Sequence, residues 1–540
     1  FKQKTAYEIG VRLVGSEMCI RDSPMGESKL KRAKDEEMRR SCAGVETAGG
    51  RVQVRWETDS AATPMGQLAY FIEFLTLTGL WSRWQESCPL AYVSPNAPTK
   101  AEVLGTWMLS VLSGHKRYSH VTTIRCDGVN PGLLGMRRVI SEDALRRALT
   151  AIPEEDGVAW LDGHLNESMA PLLDAPWILD IDTTVKPLYG KQEGAVVSYN
   201  PKKPGRPSHS YHTYLMAGLR LVVGAEVKAG NEHSGNHTLP GLLKILDQLP
   251  LNRKPKMVRG DCGFGADGIM AALEARQQPY LFKLKLSKNV KRHIERIFWD
   301  AGWRDAGQGW EGKDGELRLS GWDAARRVIV LRRPLQGEVL ITQDDNGQGV
   351  LGFIEADRKT GKRTTGYEYA VLVTNLDHEI VSLGQLYRDR ADAENAFDEL
   401  KNHWGWGGFT THDLHRCQLS ARAVALIYNW WSLFVRLASP ETRREAITSR
   451  PWLMSSVGRK TEHAGQTTIT LTGLHAHFGK ARMALMLVSA LLKGWVIRTA
   501  EQFNATTVWT LCCDHIKQTI ARIGPAQTHQ LLANHAHGIG

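Results

Sequence analysis

Hydrophobic residues follow a helical period in the N-terminal third of the chain. Leu68, Phe71, Ile72 and Leu75 recur at i, i+3, i+4 and i+7, which places them on one face of a helix. Similar patterns continue, so we expect an N-terminal helical domain over residues 60–165. Two roles stay open for it, a DNA-binding module and a structural cap.

The pattern changes after Trp177, where short apolar runs replace the helical period. Strands are predicted for WILDIDTT, GAVVSYN and YHTYLMAGL, and two further strands, KMVRGDCG and PYLFKLK, flank a predicted helix, FGADGIMAALEAR. Strands therefore come first, and strands and helices then alternate. This order predicts an α/β fold with a mixed sheet, whose first part we place at residues 166–300.

A segment rich in Gly, Trp and Arg interrupts this pattern at residues 301–366. Its strand-like runs, RRVIVLRRP and GEVLITQ, predict a β-rich insertion. The α/β pattern resumes over 367–440 with a buried strand, YEYAVLVTNL, and a long helix from Ser382 to about His403. Apolar helices follow at 415–437 and 468–498, so we expect residues 441–540 to be a C-terminal helical region.

The start of the chain differs in character from the rest. Residues 1–23 resemble a translated sequencing adaptor, and we expect them to be an artefact; the alternative is a genuine, poorly ordered N-terminus. Residues 24–59 mix positive and negative charges with glycine, and we expect a flexible tail there.

Composition narrows the class of protein. The 540 residues are 42% hydrophobic and 23% charged, which is typical of a globular chain with several domains. The eight cysteines form no C-x-x-C pair, which argues against a zinc ribbon. The longest apolar stretch, near residues 423–435, is too short to span a bilayer. We therefore expect a cytoplasmic protein with no membrane partner.

Charge and its distribution point to a polyanionic partner. The formal net charge is +11, and the basic excess lies in residues 166–300 and 441–540, whereas 367–440 is acidic overall. Net charge alone does not distinguish nucleic acid from an anionic membrane. The distribution makes the N-terminal helices less suited to be the main DNA contact.

Four polar residues share a face of the predicted helix from Ser382. Tyr387, Arg390, Glu394 and Lys401 fall within about 60° of arc, because each residue of a helix turns by 100°. Burying such groups unpaired is costly, so they do not belong to a core-facing stripe. They form either a functional face or a surface stripe of ion pairs.

The spacing of these residues, Y-x2-R-x3-E-x6-K, resembles the signature of bacterial insertion-sequence transposases of the family-four superfamily. These are DDE enzymes with an RNase H-like core, and the subgroup numbered thirteen-eighty looks most similar. The similarity covers roughly residues 170–435. It implies an RNase H-like mixed-sheet catalytic core with a β-rich insertion, flanked by N- and C-terminal helical regions. It also demands two upstream aspartates, matched by Asp182 in DIDTT and Asp261 in RGDCGFG.

Each acidic position has a competitor. Asp180 and Asp182 lie two residues apart on a strand and point to the same side, although Asp182 better matches the D-T-T of the family. Asp261 could instead cap the following helix. Glu394 competes with Asp398, which lies on the same face, and the signature favours Glu394.

The resemblance implies that Asp182, Asp261 and Glu394 are the catalytic residues and bind two Mg²⁺ ions, with Mn²⁺ as a substitute. Two Asp and one Glu supply the hard oxygen ligands that Mg²⁺ prefers. Two such ions about 3.5–4 Å apart activate water and stabilise the leaving oxygen of a phosphodiester. In the family, the signature Tyr, Arg and Lys hold DNA phosphates, which assigns that role to Tyr387, Arg390 and Lys401.

Two further groups of residues are candidates for contact with DNA. The loop PKKPGRPSHSYH would contact the DNA backbone through Lys202, Lys203 and Arg206; the alternative is a solvated turn. Relatives that form hairpin ends stack a flipped base on a tryptophan of the insertion. Three tryptophans are available there, and core packing is the alternative for each of them: Trp303, Trp310 and Trp322.

These patterns predict a DDE transposase that cuts out and inserts an insertion sequence. Its partner would be double-stranded DNA, both element ends and target, and action at two ends implies a homodimer on DNA. Such a protein would be associated with the bacterial nucleoid. The alternatives are an RNase H-like nuclease without strand transfer, a domesticated DNA-binding protein without catalysis, and an unrelated basic α/β protein.

Overall fold

The computed structural model describes residues 42–523, apart from 58–59, 93, 199, 201–202, 335–352, 357–362, 475 and 500–503. The chain divides into two compact units. One spans Phe1–Ala62 and Arg459–Thr470, and the other spans Thr63–Gly458 and Leu471–Gly540. Residues 1–23 and most of the expected tail, 24–41, lie outside the described residues.

Residues 42–55 are not the flexible tail that charge patterning predicts. They form an antiparallel hairpin of β1 (Cys42–Thr47) and β2 (Gly50–Arg55), in which Thr47 pairs with Gly50. The alternating valines Val45, Val52 and Val54 have the β-branched side chains that favour strands. A short strand, β3 (Ala61–Thr63), follows.

Seven α-helices occupy the next hundred residues, as the helical period predicts: α1 (Leu68–Leu77), α2 (Leu80–Glu86), α3 (Lys100–Leu112), α4 (Val121–Ile124), α5 (Asn130–Leu133), α6 (Glu142–Ala151) and α7 (Glu154–Met169). Their apolar faces belong to the main hydrophobic core. Trp84 of α2 stacks on Trp160 of α7 at 5.7 Å and contacts Trp430, further along the chain, edge-on. Such shared packing suits a structural cap, and a DNA-binding role stays a prediction.

A mixed sheet forms the centre of the larger unit. Its first strands are β4 (Ile178–Pro187), β5 (Val196–Val197), β6 (Pro207–Met216), β7 (Leu221–Ala229), β8 (Met257–Gly260) and β9 (Tyr280–Lys283). Strands β4, β6 and β7 pair antiparallel, whereas β8 lies parallel to both β4 and β9. Three helices connect or follow the later strands: α8 (Gly235–Gln248), α9 (Asp267–Glu274) and α10 (Lys288–Ile297).

The insertion extends this sheet. Its strands are β10 (Arg304–Gly307), β11 (Trp310–Leu317), β12 (Arg326–Pro334) and β13 (Phe353–Ala356), followed by β14 (Arg363–Thr374). Antiparallel pairing of β12 with β14 and of β14 with β9 makes one continuous sheet of eleven strands. The predicted run GEVLITQ lies outside the described residues.

The rest of the chain is mostly helical. Its helices are α11 (Ile380–Arg388), α12 (Ala391–His403), α13 (Leu414–Ala438), α14 (Ala446–Leu453), α15 (Phe478–Arg498) and α16 (Ala505–Ile523). The C-terminal helical region expected over 441–540 also contains two strands. Strands β15 (Gly458–His463) and β16 (Gln466–Leu471) form a hairpin that joins β3 in a three-stranded sheet, and the helix expected from residue 468 begins at Phe478.

Within the part of the chain that the structure describes, no helix combines the length and apolarity needed to cross a bilayer.

Candidate active site

The first two candidate carboxylates lie side by side on neighbouring parallel strands. Ile181 of β4 is in register with Gly260 of β8. Asp182 and Asp261 are the residues that directly follow these two in the sequence. A Cβ atom on Gly260 would lie 2.8 Å from the Phe264 ring, so only glycine allows this close approach. The sheet itself therefore brings the two aspartates together.

Asp180 has a different role from Asp182. Its carboxylate is buried and accepts two hydrogen bonds from Arg259, at 2.5 Å to Nε and 2.7 Å to Nη2. The two residues are register partners on β4 and β8. With both oxygens engaged inside the sheet, Asp180 serves the core, and Asp182 is the aspartate that remains at the candidate site.

Asp261 does not cap the helix that follows it. Helix α9 begins at Asp267, with Ala266 at the N-cap position. Instead, the backbone N–H of Gly263 donates to Asp261 Oδ1 at 2.9 Å, which turns the chain sharply after β8. The side chain is partly exposed, and within the described residues only this oxygen accepts a hydrogen bond.

The predicted helix over 382–403 is in fact two helices, α11 and α12, joined by a turn at Asp389 and Arg390. The Arg390 N–H bonds to the carbonyl of Tyr387 three residues back, a tighter pattern than the α-helix. The expected acceptor, the Leu386 carbonyl, instead accepts from Arg259 Nη1. The signature residues therefore do not share a face of one continuous helix.

Arg390 joins two of the candidate carboxylates. Its guanidinium is buried and lies 3.2 Å from Asp182 Oδ2 and 3.1 Å from Glu394 Oε1. Glu394 is 66% exposed at its side chain, whereas Asp182 is 20% exposed. The competitor Asp398 accepts from Asn402 at 2.7 Å on an exposed surface. Contact through Arg390 therefore favours Glu394 as the third carboxylate.

Several charged side chains of the site are buried close to one another, and this shifts their pKa values. Burial raises the pKa of Asp182 to about 6. The positive charge of Arg390 lowers this pKa, the negative charge of Asp261 raises it, and the Thr183 N–H and Lys401 lower it. Burial also raises the pKa of Tyr387. The pKa of Arg390 is raised despite its burial, because Asp182 and its neighbours attract the positive charge. The signature residues thus lie within electrostatic reach of the two aspartates.

The three candidate carboxylates are suitable ligands for divalent cations, but the structure does not bring all three together. Asp182 and Asp261 are adjacent and supply hard oxygens, as Mg²⁺ requires. Across the described residues, however, no three His, Cys, Asp or Glu side chains form a group that could hold a metal ion. Glu394 is bound to Arg390 instead, so a three-carboxylate site requires that ion pair to open.

A cavity of about 210 Å³ lies between the insertion and the signature helices. It is lined by Trp310, Tyr387, Arg390 and Glu394, among others. All three tryptophans carry an arginine on their rings. Trp322 is buried against Arg326, Trp303 carries Arg332 at 3.8 Å, and Trp310 carries Arg333 at 4.8 Å. Only Trp310, of the three, faces the candidate site.

The predicted DNA-contact loop, 201–212, is only in part a loop: from Pro207 it is strand β6 and largely buried, and only the described residues before that strand lie on the surface. Lys203 and Arg206 are exposed, and both stack on the exposed ring of Tyr189, at 5.0 Å in each case. The Lys203 ammonium also donates to the Tyr189 hydroxyl, and this interaction is the main reason why the pKa of Tyr189 is lowered. Lys202 lies outside the described residues. DNA contact through this loop stays a prediction.

Arg259 is the site-shaping residue that motif reasoning missed. It buries its charge against Asp180 and also sets the turn between α11 and α12 through the Leu386 carbonyl. A signal was present in the sequence. The strands ILDI and MVRG each contain a single charged residue, Asp180 and Arg259, and these charges are opposite in sign. Each lies two residues before the aspartate of its motif.

The raised pKa of Asp182 predicts that Asp182→Asn stabilises the metal-free protein at neutral pH. The pKa of Asp182 is about 6 in the folded protein and near 3.9 in the unfolded chain, so folding favours the neutral carboxyl. Its contribution to the free energy of unfolding is complete below about pH 3.9 and is lost as the pH rises through 6. In EDTA we expect the variant to exceed wild type by about 1–3 kcal/mol at pH 8, and the gap to close near pH 4. Urea unfolding from pH 4 to 8 measures it, with Asp398→Asn as the control; a gap independent of pH would contradict the prediction.

Comparisons with known proteins identify the family of this chain. The chain matches the family model described as "Transposase DDE domain group 1" over residues 101–452, which include all three candidate carboxylates. No curated protein sequence matches the chain. Among solved structures, a "piggyBac transposase synaptic complex with hairpin DNA" aligns with 87% of this chain and 88% of that one at 11% identity, with a TM-score of 0.34. That likeness is too low to support an argument.

The family model covers well over half of the chain and includes the strands and helices that build the site. It confirms the DDE transposase resemblance carried by the Tyr387–Lys401 signature, and DDE transposases generally use divalent metal ions. The protein therefore belongs to the family of DDE transposases, enzymes that cleave and transfer DNA.

Proposed function

We propose that this transposase excises and reinserts an insertion sequence by a cut-and-paste pathway, with Asp182, Asp261 and Glu394 as its catalytic carboxylates. The proposal is carried by one observation. Asp182 and Asp261 follow register-paired residues of parallel strands, and Arg390 joins Asp182 to Glu394 at 3.2 and 3.1 Å. An RNase H-like core is part of the proposal, supported by the mixed sheet in which β8 joins β4 in parallel.

Two Mg²⁺ ions are the proposed cofactors, with Mn²⁺ as a substitute, held by Asp182, Asp261 and Glu394. When bound, such ions lower the pKa of water and stabilise the leaving oxygen of the cleaved phosphodiester. The donor set consists of carboxylates, which favours these hard cations over zinc. Release of Glu394 by Arg390 would let the third carboxylate join the two aspartates.

The signature residues position the DNA strand in this proposal. Arg390 exchanges a carboxylate for a phosphate oxygen, which its guanidinium binds with similar geometry. Tyr387 lines the cavity beside it and, with its pKa raised, keeps a hydroxyl proton to donate. Lys401 attracts the phosphate charge near Asp182. Lys202, Lys203 and Arg206 would contact the backbone further out on the surface.

The cavity at Trp310 suits an unpaired base at the cleaved end. It combines an indole with the Tyr387 ring and the Arg390 guanidinium. Flat aromatic and guanidinium surfaces stack on bases of any sequence. We propose that Trp310, and neither Trp303 nor Trp322, contacts such a base.

Cut-and-paste transposition requires joining as well as cleavage, so a strand-transfer assay tests the proposal. The substrate is a labelled duplex with a pre-cleaved 3′-hydroxyl end from the element, incubated with a supercoiled target plasmid and Mg²⁺. We expect joined product from a protein that binds the two ends as a homodimer.

The alternatives give different products in the same assay. Hydrolysis of DNA without joining would favour a nuclease, and tight binding with neither product would favour a domesticated DNA-binding protein. Substituting Mn²⁺ for Mg²⁺ in parallel reactions tests the proposed metal.

A further inference from the structure

A basic cavity lies away from the three carboxylates, between α10 and the end of β11. Its volume is about 520 Å³. The polar residues that line it are Asn289, Arg292, His293, Glu295, Arg296 and Arg318. Three guanidinium groups face one carboxylate, so the cavity carries an excess of positive charge.

The arginines of this cavity differ from their neighbours in the insertion. Arg326, Arg327, Arg332 and Arg333 each form an ion pair with a carboxylate at 2.5–3.0 Å. Among the residues that the structure describes, Arg292, Arg296 and Arg318 form no ion pair, and all three are exposed. Within the described residues, Arg318 Nε donates to the Trp322 carbonyl at 3.4 Å, and none of the three guanidinium groups is held by a carboxylate.

A buried histidine in the wall carries a donor that has no partner in the described structure. His293 is 6% exposed, and Arg296 Nη2 donates to its Nδ1 at 2.9 Å. Since arginine only donates, Nδ1 must be the acceptor, and a neutral imidazole then carries its proton on Nε2. Burial, and then the charge of Arg296, lowers the pKa of His293 and so favours the neutral ring. His293 Nε2 is buried and has no hydrogen-bond partner within the described structure.

Helix α10 follows, in sequence, a strand that reaches the candidate active site. Lys283, at the end of that strand, β9, lines the active-site cavity of about 210 Å³ together with Tyr387 and Arg390. Exposed cations then follow on α10 at Lys288, Arg292 and Arg296, spaced by four residues along one face. A ten-residue helix is about 15 Å long, which matches about four base pairs of duplex DNA.

We infer that the cavity formed by Arg292, His293, Arg296 and Arg318 binds phosphodiester groups of the DNA duplex that enters the active site. An environment of guanidinium and N–H donors matches phosphate oxygens, which only accept hydrogen bonds at neutral pH. The inference rests on the proposed function, because it supplies that site with a second contact to its DNA. Such contacts set position and affinity and read no sequence.

The test compares two double variants that lose the same charge. Arg292→Gln/Arg318→Gln removes two unpaired arginines. Arg253→Gln/Arg276→Gln removes two arginines that are already compensated, by Asp174 at 2.7 Å and Asp247 at 2.9 Å. Fluorescence anisotropy in EDTA measures the Kd of each protein for a labelled duplex from 50 to about 300 mM salt. Thermal unfolding verifies that each variant is folded.

For Arg292→Gln/Arg318→Gln we expect affinity to fall by about tenfold or more on duplexes of any sequence. The slope of log K against log salt should decrease by about two, because each lost phosphate contact contributes about 0.9. The control variant should retain the wild-type slope. Equal slopes and affinities for all three folded proteins would overturn the inference while leaving the proposed function intact.

A second arm distinguishes DNA from a free phosphate as the ligand. Millimolar inorganic phosphate is added in thermal unfolding experiments without DNA. If phosphate raises the Tm of wild type and not of Arg292→Gln/Arg318→Gln, while their DNA slopes agree, the cavity takes free phosphate and the inference is wrong. A wild-type protein that binds no duplex at low salt would overturn the proposed function, and the inference with it.

Discussion

Asp182→Asn, Asp261→Asn and Glu394→Gln are each expected to reduce DNA cleavage and strand transfer by about 10³-fold or more. Each change replaces a charged oxygen ligand by a neutral amide of nearly the same size. Loss of metal-assisted stabilisation of the transition state costs several kcal/mol, and about 4 kcal/mol corresponds to that factor. Single-turnover assays on a labelled element end, in Mg²⁺, measure the effect.

DNA binding separates this loss from a general defect. Measured in EDTA, the Kd for an element-end duplex should stay within a few-fold of wild type, because the carboxylates make no attractive contact with phosphates. Asp398→Asn is the matched control, an exposed carboxylate on the same helix whose partner is Asn402, and it should retain activity. Wild-type activity in any of the three variants would contradict the assignment of that residue.

The largest expected effect on stability comes from Arg259→Met. The variant leaves the Asp180 carboxylate buried without its two hydrogen bonds, and removing one partner of a buried pair costs about 3–5 kcal/mol. Urea denaturation of the metal-free protein, followed by tryptophan fluorescence, measures the free energy of unfolding. Because Arg259 also binds the Leu386 carbonyl, the turn that places Arg390 should loosen, and cleavage should fall as well.

A double variant tests the cause of this destabilisation. Asp180→Leu/Arg259→Met removes both charges, and we expect it to be more stable than Arg259→Met alone, since the unpaired buried charge is gone. Arg253→Met, which removes a partly exposed arginine from its pair with Asp174, should cost less than about 1 kcal/mol. If the double variant is less stable than Arg259→Met, the unpaired charge is not the cause.

The helix break shows where reasoning from periodicity stops. Tyr387, Arg390, Glu394 and Lys401 fit one helical face, and nothing local in the sequence interrupts the pattern. At the break, Arg259, more than 120 residues earlier in the chain, donates to the Leu386 carbonyl, and the Arg390 N–H bonds to Tyr387 instead of Leu386. A backbone hydrogen bond taken by a distant side chain has no trace in the periodicity of the helix itself.

By itself, the sequence determined the family, the strand that carries Asp182, the strand that ends just before Asp261, and the signature that carries Glu394. These follow from residue type and local spacing, because strand and helix periods are properties of short segments. Only the tertiary structure decided that Asp180 is committed to Arg259, that Arg390 holds Asp182 and Glu394, and that Trp310 alone of its group faces the site. Each of these depends on contacts between residues far apart in the chain, and burial and pairing of charges are fixed when the sheet and the helices pack together.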